Sequence, residues 1–392
     1  MFTHLFKLIW NKKKQNFLLI MEMLVSFIVM FAVFTLLVFY FQNYNRQMGF
    51  DHENVWTVHY DSPPGISNSD SISDFRASLK QMIKSMPAVE EVSFSQVNIP
   101  FGNATISGGI HYDKISTQTN TYTVDDSYRD LLNIRIIEGK WFSKEDAVAK
   151  EKPVVITEQL KETLFGKGSA VGKLLADGGT GKMKITGVVN NMKDEGDFTG
   201  PKNGLFRRVD TSNQLWDGII LIKVKPTVDA SFESHLYKTL STTFKNTNVE
   251  ILHMDEQLAG KNKSVISWII IVVIVAGFLI VNVALGLFGV LWYNINKRKS
   301  EIGLRRAVGA SGNAVSKQLV AEALVLSTIS LIVGSFFAIQ FPLMNVFDLA
   351  TNTYLLALAL AIIFIYLLVI ICALYPGKQA AAIFPAVALH ED

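Results

Sequence analysis

The chain has 392 residues, 49% of them hydrophobic and 18% charged. That balance is too apolar for an ordinary soluble protein and too polar for one wholly embedded in a bilayer. A formal net charge of +3 provides no basic field for nucleic acid, and the single cysteine, Cys372, rules out an intrachain disulfide and any two-cysteine metal or redox motif.

Residues 1–16 carry Lys7, Lys12, Lys13 and Lys14 ahead of an apolar run, with Phe6 and Trp10 fitting an amphipathic lead-in on the inner membrane surface. The run from Phe17 to Phe41 is longer than a signal-peptide core, and no small-residue cleavage site follows it. It reads as a retained first span, residues 17–42, with the N-terminus in the cytoplasm. Glu22, early in this run, fits a side chain that snorkels to the inner interface; a functional intramembrane carboxylate is the alternative.

Residues 43–263 have ordinary polarity and follow an inside N-terminus, so they are expected outside the membrane. Val55 to Tyr60 alternates as a strand, Ser73 to Met86 places Phe75, Leu79, Met82 and Ile83 at helical spacing, and Val89 to Val97 reads as a strand. Gly218 to Val224, Asp229 to Phe244 and Val249 to His253 repeat that strand-helix-strand order. Two such units predict one layered α/β subdomain built from both ends of the region, with an insertion at about 100–215. Within the insertion, Asp125 to Leu132 and Glu158 to Phe165 read as helices; Ile134 to Glu138, Pro153 to Thr157 and Met183 to Val189 read as strands. The adjacent acids Glu90-Glu91 and Asp125-Asp126 are expected to be solvated.

Three further apolar runs follow, at 264–293, 317–341 and 354–375, the last two closed by Pro342 and Pro376. The fold class expected is an α-helical membrane protein with four transmembrane helices plus a large extracytoplasmic α/β domain carrying a β-rich inserted lobe. The loop 342–353 lacks Lys and Arg and is expected outside; Lys378 places the tail, 376–392, inside. In the second span Gly286 and Gly289 would permit close helix contact, and Asn282 is a candidate interhelical hydrogen-bonding residue. Glu322, near the inner end of the third span, is expected to pair with a basic residue or backbone group of the adjoining loop; a snorkelling surface carboxylate is the alternative.

That loop, 294–316, crowds together Lys297, Arg298, Lys299, Arg305 and Arg306, with Lys317 just beyond it, which places it in the cytoplasm. Glu301 to Val308 is helix-favouring, with Ile302, Leu304 and Val308 read as one apolar side. Gly309 suits a C-terminal cap, and Ser311 suits an N-cap for the next helix.

KRKSEIGLRRAVGAS with the following AEALVLS, and LYPGKQAAAIFPAVALHED near the end, resemble the two signatures of FtsX/MacB-type ABC transporter permeases. YRDLLNIRIIEGKWFSKEDA, PVVITEQLKETLFGKGSAVGKLL and KITGVV resemble the MacB-like periplasmic core, and the resemblance implies a porter-like α/β subdomain with a small β-rich lobe. It further implies a coupling helix at 299–310 that docks on an ATPase, with Glu301, Ile302, Arg305 and Arg306 at the contact, Gly303 allowing close approach and Gly309 setting the exit angle. Arg298 and Lys317 are expected to anchor span ends at anionic headgroups. The partners so implied are a cytoplasmic ABC ATPase subunit, which would hold the ATP and Mg, a second permease copy or related permease, membrane lipids and, in some members, a periplasmic adaptor or outer-membrane channel.

The chain itself shows no catalytic chemistry. Gly178-Gly179-Thr180-Gly181-Lys182 lacks the first glycine and the Ser or Thr of a Walker A motif and reads as a turn. No HExxH or GxSxG occurs. The expectation is a non-enzymatic permease subunit in a bacterial inner membrane, N-in and C-in, that passes ATP-driven motion to its outer domain for export or extraction. A membrane sensor or scaffold, including FtsX-like regulation of an external enzyme, is the competing class. No signalling domain follows the second span, which weighs against the sensor.

Overall fold

A computed structural model describes residues 13–61, 69–177, 181–209, 218–244 and 248–382. The glycine turn at 178–180, the lead-in at 1–12 and the tail at 383–392 lie outside the described residues. The chain divides into a membrane unit, Met1–Gln42 with Ile266–Asp392, and a soluble unit, Asn43–Val265.

Helix α1 (Lys13–Tyr44) opens the chain. The soluble unit begins with β1 (Val55–Tyr60), α2 (Ser69–Lys84) and β2 (Val89–Gln96). Its insertion contributes β3 (Ser107–Tyr112), β4 (Ile115–Val124), α3 (Tyr128–Leu131), β5 (Ile136–Gly139), β6 (Lys152–Thr157), α4 (Glu158–Phe165), β7 (Leu174–Asp177), β8 (Lys182–Val189) and β9 (Gly204–Arg208). It closes with β10 (Gly218–Val224), α5 (Ala230–Thr243) and β11 (Val249–His253).

The two strand-helix-strand units interleave. The sheet order is β11-β1-β10-β2, all antiparallel, so each unit's strands are separated by a strand of the other. Strand β10 explains why the order is stable. Its Ile220, Ile222 and Val224 pack under α2 and α5 with Leu79, Ile83, Leu236 and Phe244, while Ile219 and Leu221 face the opposite core. Alternate side chains point to opposite faces, so a strand apolar at nearly every position belongs in the middle.

Among the described residues, the insertion is joined to this sheet by one strand pairing, Ser95 with Val124. Its strands run β4-β3-β7-β8-β6-β9, and β9 pairs back onto β4, which closes a ring with no free edge among these strands. The hairpin β3–β4 and strands β7 and β9 were not read from the sequence, and the helix expected over Asp125 to Leu132 shrinks to the single turn α3. The expectation of solvated acids is corrected for one pair: Asp125 takes Lys80 at 2.6 Å, and Asp126 takes Arg208 through two bonds at 2.7 and 2.9 Å.

The remaining helices are α6 (Met254–Lys297), α7 (Lys299–Ala307), α8 (Gly312–Ala338), α9 (Gln340–Leu343) and α10 (Thr351–Ala381). Among the described residues, four helices are long and apolar enough to cross a membrane: α1, α6, the stretch Gly312–Leu343 and α10. Within the membrane unit, Met23, Phe27 and Phe31 of α1 pack with Leu287 and Leu291 of α6, Leu326 of α8 and the stripe Ala357, Ala361, Ile365, Val369 of α10. Small residues at this helical spacing bring backbones close. The outward residues of α6, such as Trp268, Ile274, Phe278 and Leu285, are exposed yet apolar, as a lipid solvent demands.

Pro376 does not end the last span. Helix α10 runs through it to Ala381, and Pro376, Gly377 and Ala380 are all buried. A proline removes one backbone donor and bends the helix, which neighbouring packing tolerates.

Candidate functional site

Helix α7 begins after Arg298 and is good helix-forming sequence apart from the buried Gly303. It ends as a Schellman motif: Gly309 adopts φ +102, its N–H donates to Arg306 O at 3.1 Å, and Ala310 N–H donates to Arg305 O at 3.0 Å. Ser311 then caps α8, accepting from Ala314 N–H at 3.3 Å. A short helix held by a cap on its exit and by one residue on its entry has little freedom to swing.

Its inner face is fixed by apolar packing. Ile302 and Gly303 are buried, and Ile302 clusters with Ile295 of α6, Val315 and Leu319 of α8 and Ala380 of α10. Gly312 lies so close to α10 that a Cβ there would sit 2.9 Å from Ala381 O, and one on Gly377 would sit 2.7 Å from Ser316 Oγ. The small residues of PGKQAA therefore admit α7 and α8 against the end of α10. Their spacing in the sequence was the only signal of this contact.

A polar network fixes the other inward side. Arg298 donates from Nη1 to Glu322 at 2.8 Å and from Nε to Glu301 at 3.0 Å. Arg305 reaches Glu301 at 2.5 Å and Gln318 at 2.9 Å, and Gln318 donates to Glu322 at 3.1 Å. Burial pulls the Arg298 guanidinium down, but Glu301 and Glu322 hold it above its usual value. Glu322 thus has a loop cation as its partner. The expectation of Arg298 as a headgroup anchor is corrected, since its side chain is 12% exposed and ion-paired on both sides. Lys317 is exposed.

What remains outward differs from the expected set. Gly303 is enclosed by its own chain rather than open to a partner, Arg306 is half-buried beside Gly312, and Glu301 and Arg305 are engaged with each other. Ile302 and Leu304 do not share a side: two residues apart on a helix means opposite faces. Ser300, Leu304, Ala307 and Val308 form the exposed face, with Leu304 56% and Val308 83% exposed.

In α6, Gly286 lies against the Glu22 carboxylate of α1, where any Cβ would collide with it. A Cβ on Gly289 would meet nothing within 4 Å among the described residues, so Gly286 makes its close contact inside the chain and Gly289 makes none there. An α-helix apolar all round does not mark which face meets a neighbour. The Glu22 carboxylate lies against Gly286, which is about 16 Å along α6 from Lys297. Asn282 donates to Phe278 O of its own helix at 2.8 Å rather than across helices. Cys372 is half-buried, and no group of three or more His, Cys, Asp or Glu suited to a metal occurs among the described residues.

Sequence reasoning also missed a site in the soluble unit. Lys193, buried by side chain and backbone alike, donates to Asn43 O at 2.8 Å, Arg46 O at 3.0 Å and Asp197 O at 2.9 Å. Burial pulls its pKa down. Asp197 in turn exchanges hydrogen bonds with Asn262 at 3.0 and 2.6 Å, and Phe198 stacks on Tyr44. One loop of the insertion thereby clasps the end of α1 and the first turns of α6.

Comparison with known proteins agrees with this architecture. Residues 23–234 match the MacB-like periplasmic core domain, and residues 266–385 match the FtsX-like permease C-terminal region. The chain is 25% identical over 288 residues to the uncharacterized ABC transporter permease YvrN of Bacillus subtilis, covering 69% of this chain and 70% of that one. It is 24% identical over 246 residues to the macrolide export ATP-binding/permease protein MacB of Neisseria gonorrhoeae, covering 59% of this chain but 36% of that protein. Among solved structures, the periplasmic region of MacB from Actinobacillus actinomycetemcomitans aligns with TM-score 0.39 and 16% identity, over 55% of this chain and 95% of that one. The extracellular domain of YknZ from Gram-positive bacteria aligns with TM-score 0.36 and 17% identity, over 51% of this chain and 100% of that one. The chain belongs to the family of ABC transporter permeases that join a MacB-like periplasmic core domain to an FtsX-like permease region.

Proposed function

We propose that this permease takes the ATP-driven movement of a separate cytoplasmic ATPase at α7 and delivers it to the soluble unit, for export or extraction of a substrate. In this reading both termini and α7 are cytoplasmic, the soluble unit and the loop 342–353 are outside, and ATP and Mg are held by the partner. The observation that carries the reading is the exposed face of α7. Leu304 and Val308 stand out on a helix whose Ile302 and Gly303 are buried and whose Glu301 and Arg305 are ion-paired, on a loop with the basic charge of a cytoplasmic one. Every push on that face meets the packed ends of α6, α8 and α10.

Two further features support transmission. Chain continuity into the soluble unit is helical at both crossings, through α1 to Tyr44 and from Met254 into α6. Inside the soluble unit, the Lys193 loop holds the end of one and the start of the other. A second permease copy or related permease completes the proposal: α6 is apolar and open along most of its length, and Gly289 offers an unfilled position for a neighbouring helix.

The test is co-purification of the ATPase with the double variant Leu304→Asp, Val308→Asp. Burying two such side chains stabilises a complex by roughly 1.5–3 kcal/mol each, so binding falls on the order of 100-fold or more, with insertion intact. Lys317→Ala should leave binding unchanged. Full ATPase recovery with the double variant would defeat the proposal.

A further inference from the structure

Helices α1, α6 and α10 wall a groove of about 440 Å³ within the membrane unit. Its lining is apolar, with Val25, Ile280, Phe364 and Ile365 prominent, apart from Glu22, Ser26 and Asn282. Ser26 spends its one donor, and Asn282 one of its two amide N–H groups, inside their own helices. Ser26 Oγ donates to Glu22 O, and Asn282 Nδ2 donates to Phe278 O. Left over are the two carboxylate oxygens of Glu22 and Asn282 Oδ1, none of which receives a donor among the described residues. Gly286, one turn beyond Asn282 on α6, lets the carboxylate lie against that helix, so Glu22 is held beside Asn282 rather than drawn out of the groove.

Beside one remaining Asn282 N–H, the unspent polar capacity of the groove is therefore acceptor, and one acceptor group is a carboxylate. An acyl chain fills such a groove but offers these atoms nothing, and a carboxylate left bare among apolar helices is costly. A ligand with N–H donors, a positive charge and an apolar body satisfies these acceptors and the apolar walls, and the volume is that of a small-molecule site. We propose that this groove binds a free amphiphilic amine, its ammonium group on Glu22 and Asn282 and its apolar body along Val25, Ile280 and Phe364. The proposal is independent of how the ATPase couples, because the groove's chemistry is complete within this chain.

The test uses the full chain in phosphatidylcholine nanodiscs, whose headgroup has no N–H, with two probes: a diazirine-bearing dodecylamine and the matching dodecanol. A charge-assisted hydrogen bond predicts that the amine labels the α1, α6 and α10 peptides of the groove roughly tenfold more than the alcohol. Glu22→Gln should abolish that preference while alcohol labelling persists. Ile365→Trp, which fills the groove and leaves Glu22 in place, should suppress labelling by both probes, and it carries the test if Glu22→Gln fails to fold. Equal labelling by amine and alcohol, or a preference that survives Glu22→Gln, would overturn the proposal. Loss of amine labelling on adding phosphatidylethanolamine would also overturn it, by assigning the acceptors to a lipid headgroup.

Discussion

Asp194 lies in the core of the soluble unit, accepting from Tyr122 Oη and from Asn120 Nδ2 at 3.0 Å. Burial first, and the Asp194 charge second, push the Tyr122 hydroxyl well above its usual value of 10; the same two causes raise Tyr128. A raised folded pKa means that the neutral form is the one the fold prefers. Its stabilisation is present below pH 10 and is lost as pH climbs above 10 toward the folded value, because the unfolded chain ionises first. Calorimetry of the intact protein should show a melting temperature that declines above about pH 10, at up to roughly 1.4 kcal/mol per pH unit for each tyrosine. Tyr122→Phe should cost about 1–2 kcal/mol at neutral pH, since Asp194 loses a donor, and should flatten the alkaline decline. An unchanged alkaline slope in that variant would remove Tyr122 from the account. Nothing in the sequence pairs Tyr122 with Asp194 or Lys193 with Asn43, because such contacts join positions that only the folded chain brings together.

Helix α7 shows what local sequence can and cannot tell. Its position, its glycine cap and the serine cap after it were legible, because each depends on a few adjacent residues. Its inward and outward faces were not. Glu301 and Arg305 look available in a string of charges, yet they bind each other, Arg298 and Gln318 of α8, and Arg306 is half-buried. The network makes a definite prediction. Arg298 and Glu322 are 12% and 20% exposed, so Glu322→Gln leaves a mostly buried guanidinium with Glu301 as its remaining carboxylate. The permease should lose about 2 kcal/mol, read as a lower melting temperature in detergent, with ATPase binding weakened less than by the Leu304 and Val308 changes. A melting temperature equal to that of the parent protein would show the pair to be only a surface contact.

At the scale of the whole molecule, the four apolar runs and the α/β rhythm of residues 43–263 were legible because both are periodic signals along the chain. The interleaving of the two strand-helix-strand units was not, nor was the closed ring of the insertion. Strand β9 pairs with β4 across more than 80 residues of sequence, from Gly204 to Asn120, and periodicity carries no information about such partners. Pro376 misled for a related reason, since a proline ends a helix in water but not where packing holds both sides of it. The proposed topology has α7 in the cytoplasm, facing an ATPase, and the soluble unit outside. Single-cysteine maleimide labelling in a Cys372→Ala background tests it most directly, using Val308→Cys on the exposed face of α7 and Ser169→Cys on the exposed surface of the soluble unit. In intact cells Ser169→Cys should label and Val308→Cys should not. In inside-out vesicles stripped of the ATPase, Val308→Cys should label and should become protected when the ATPase is restored. Labelling of Val308→Cys in intact cells, or labelling in vesicles that the ATPase does not alter, would contradict the account.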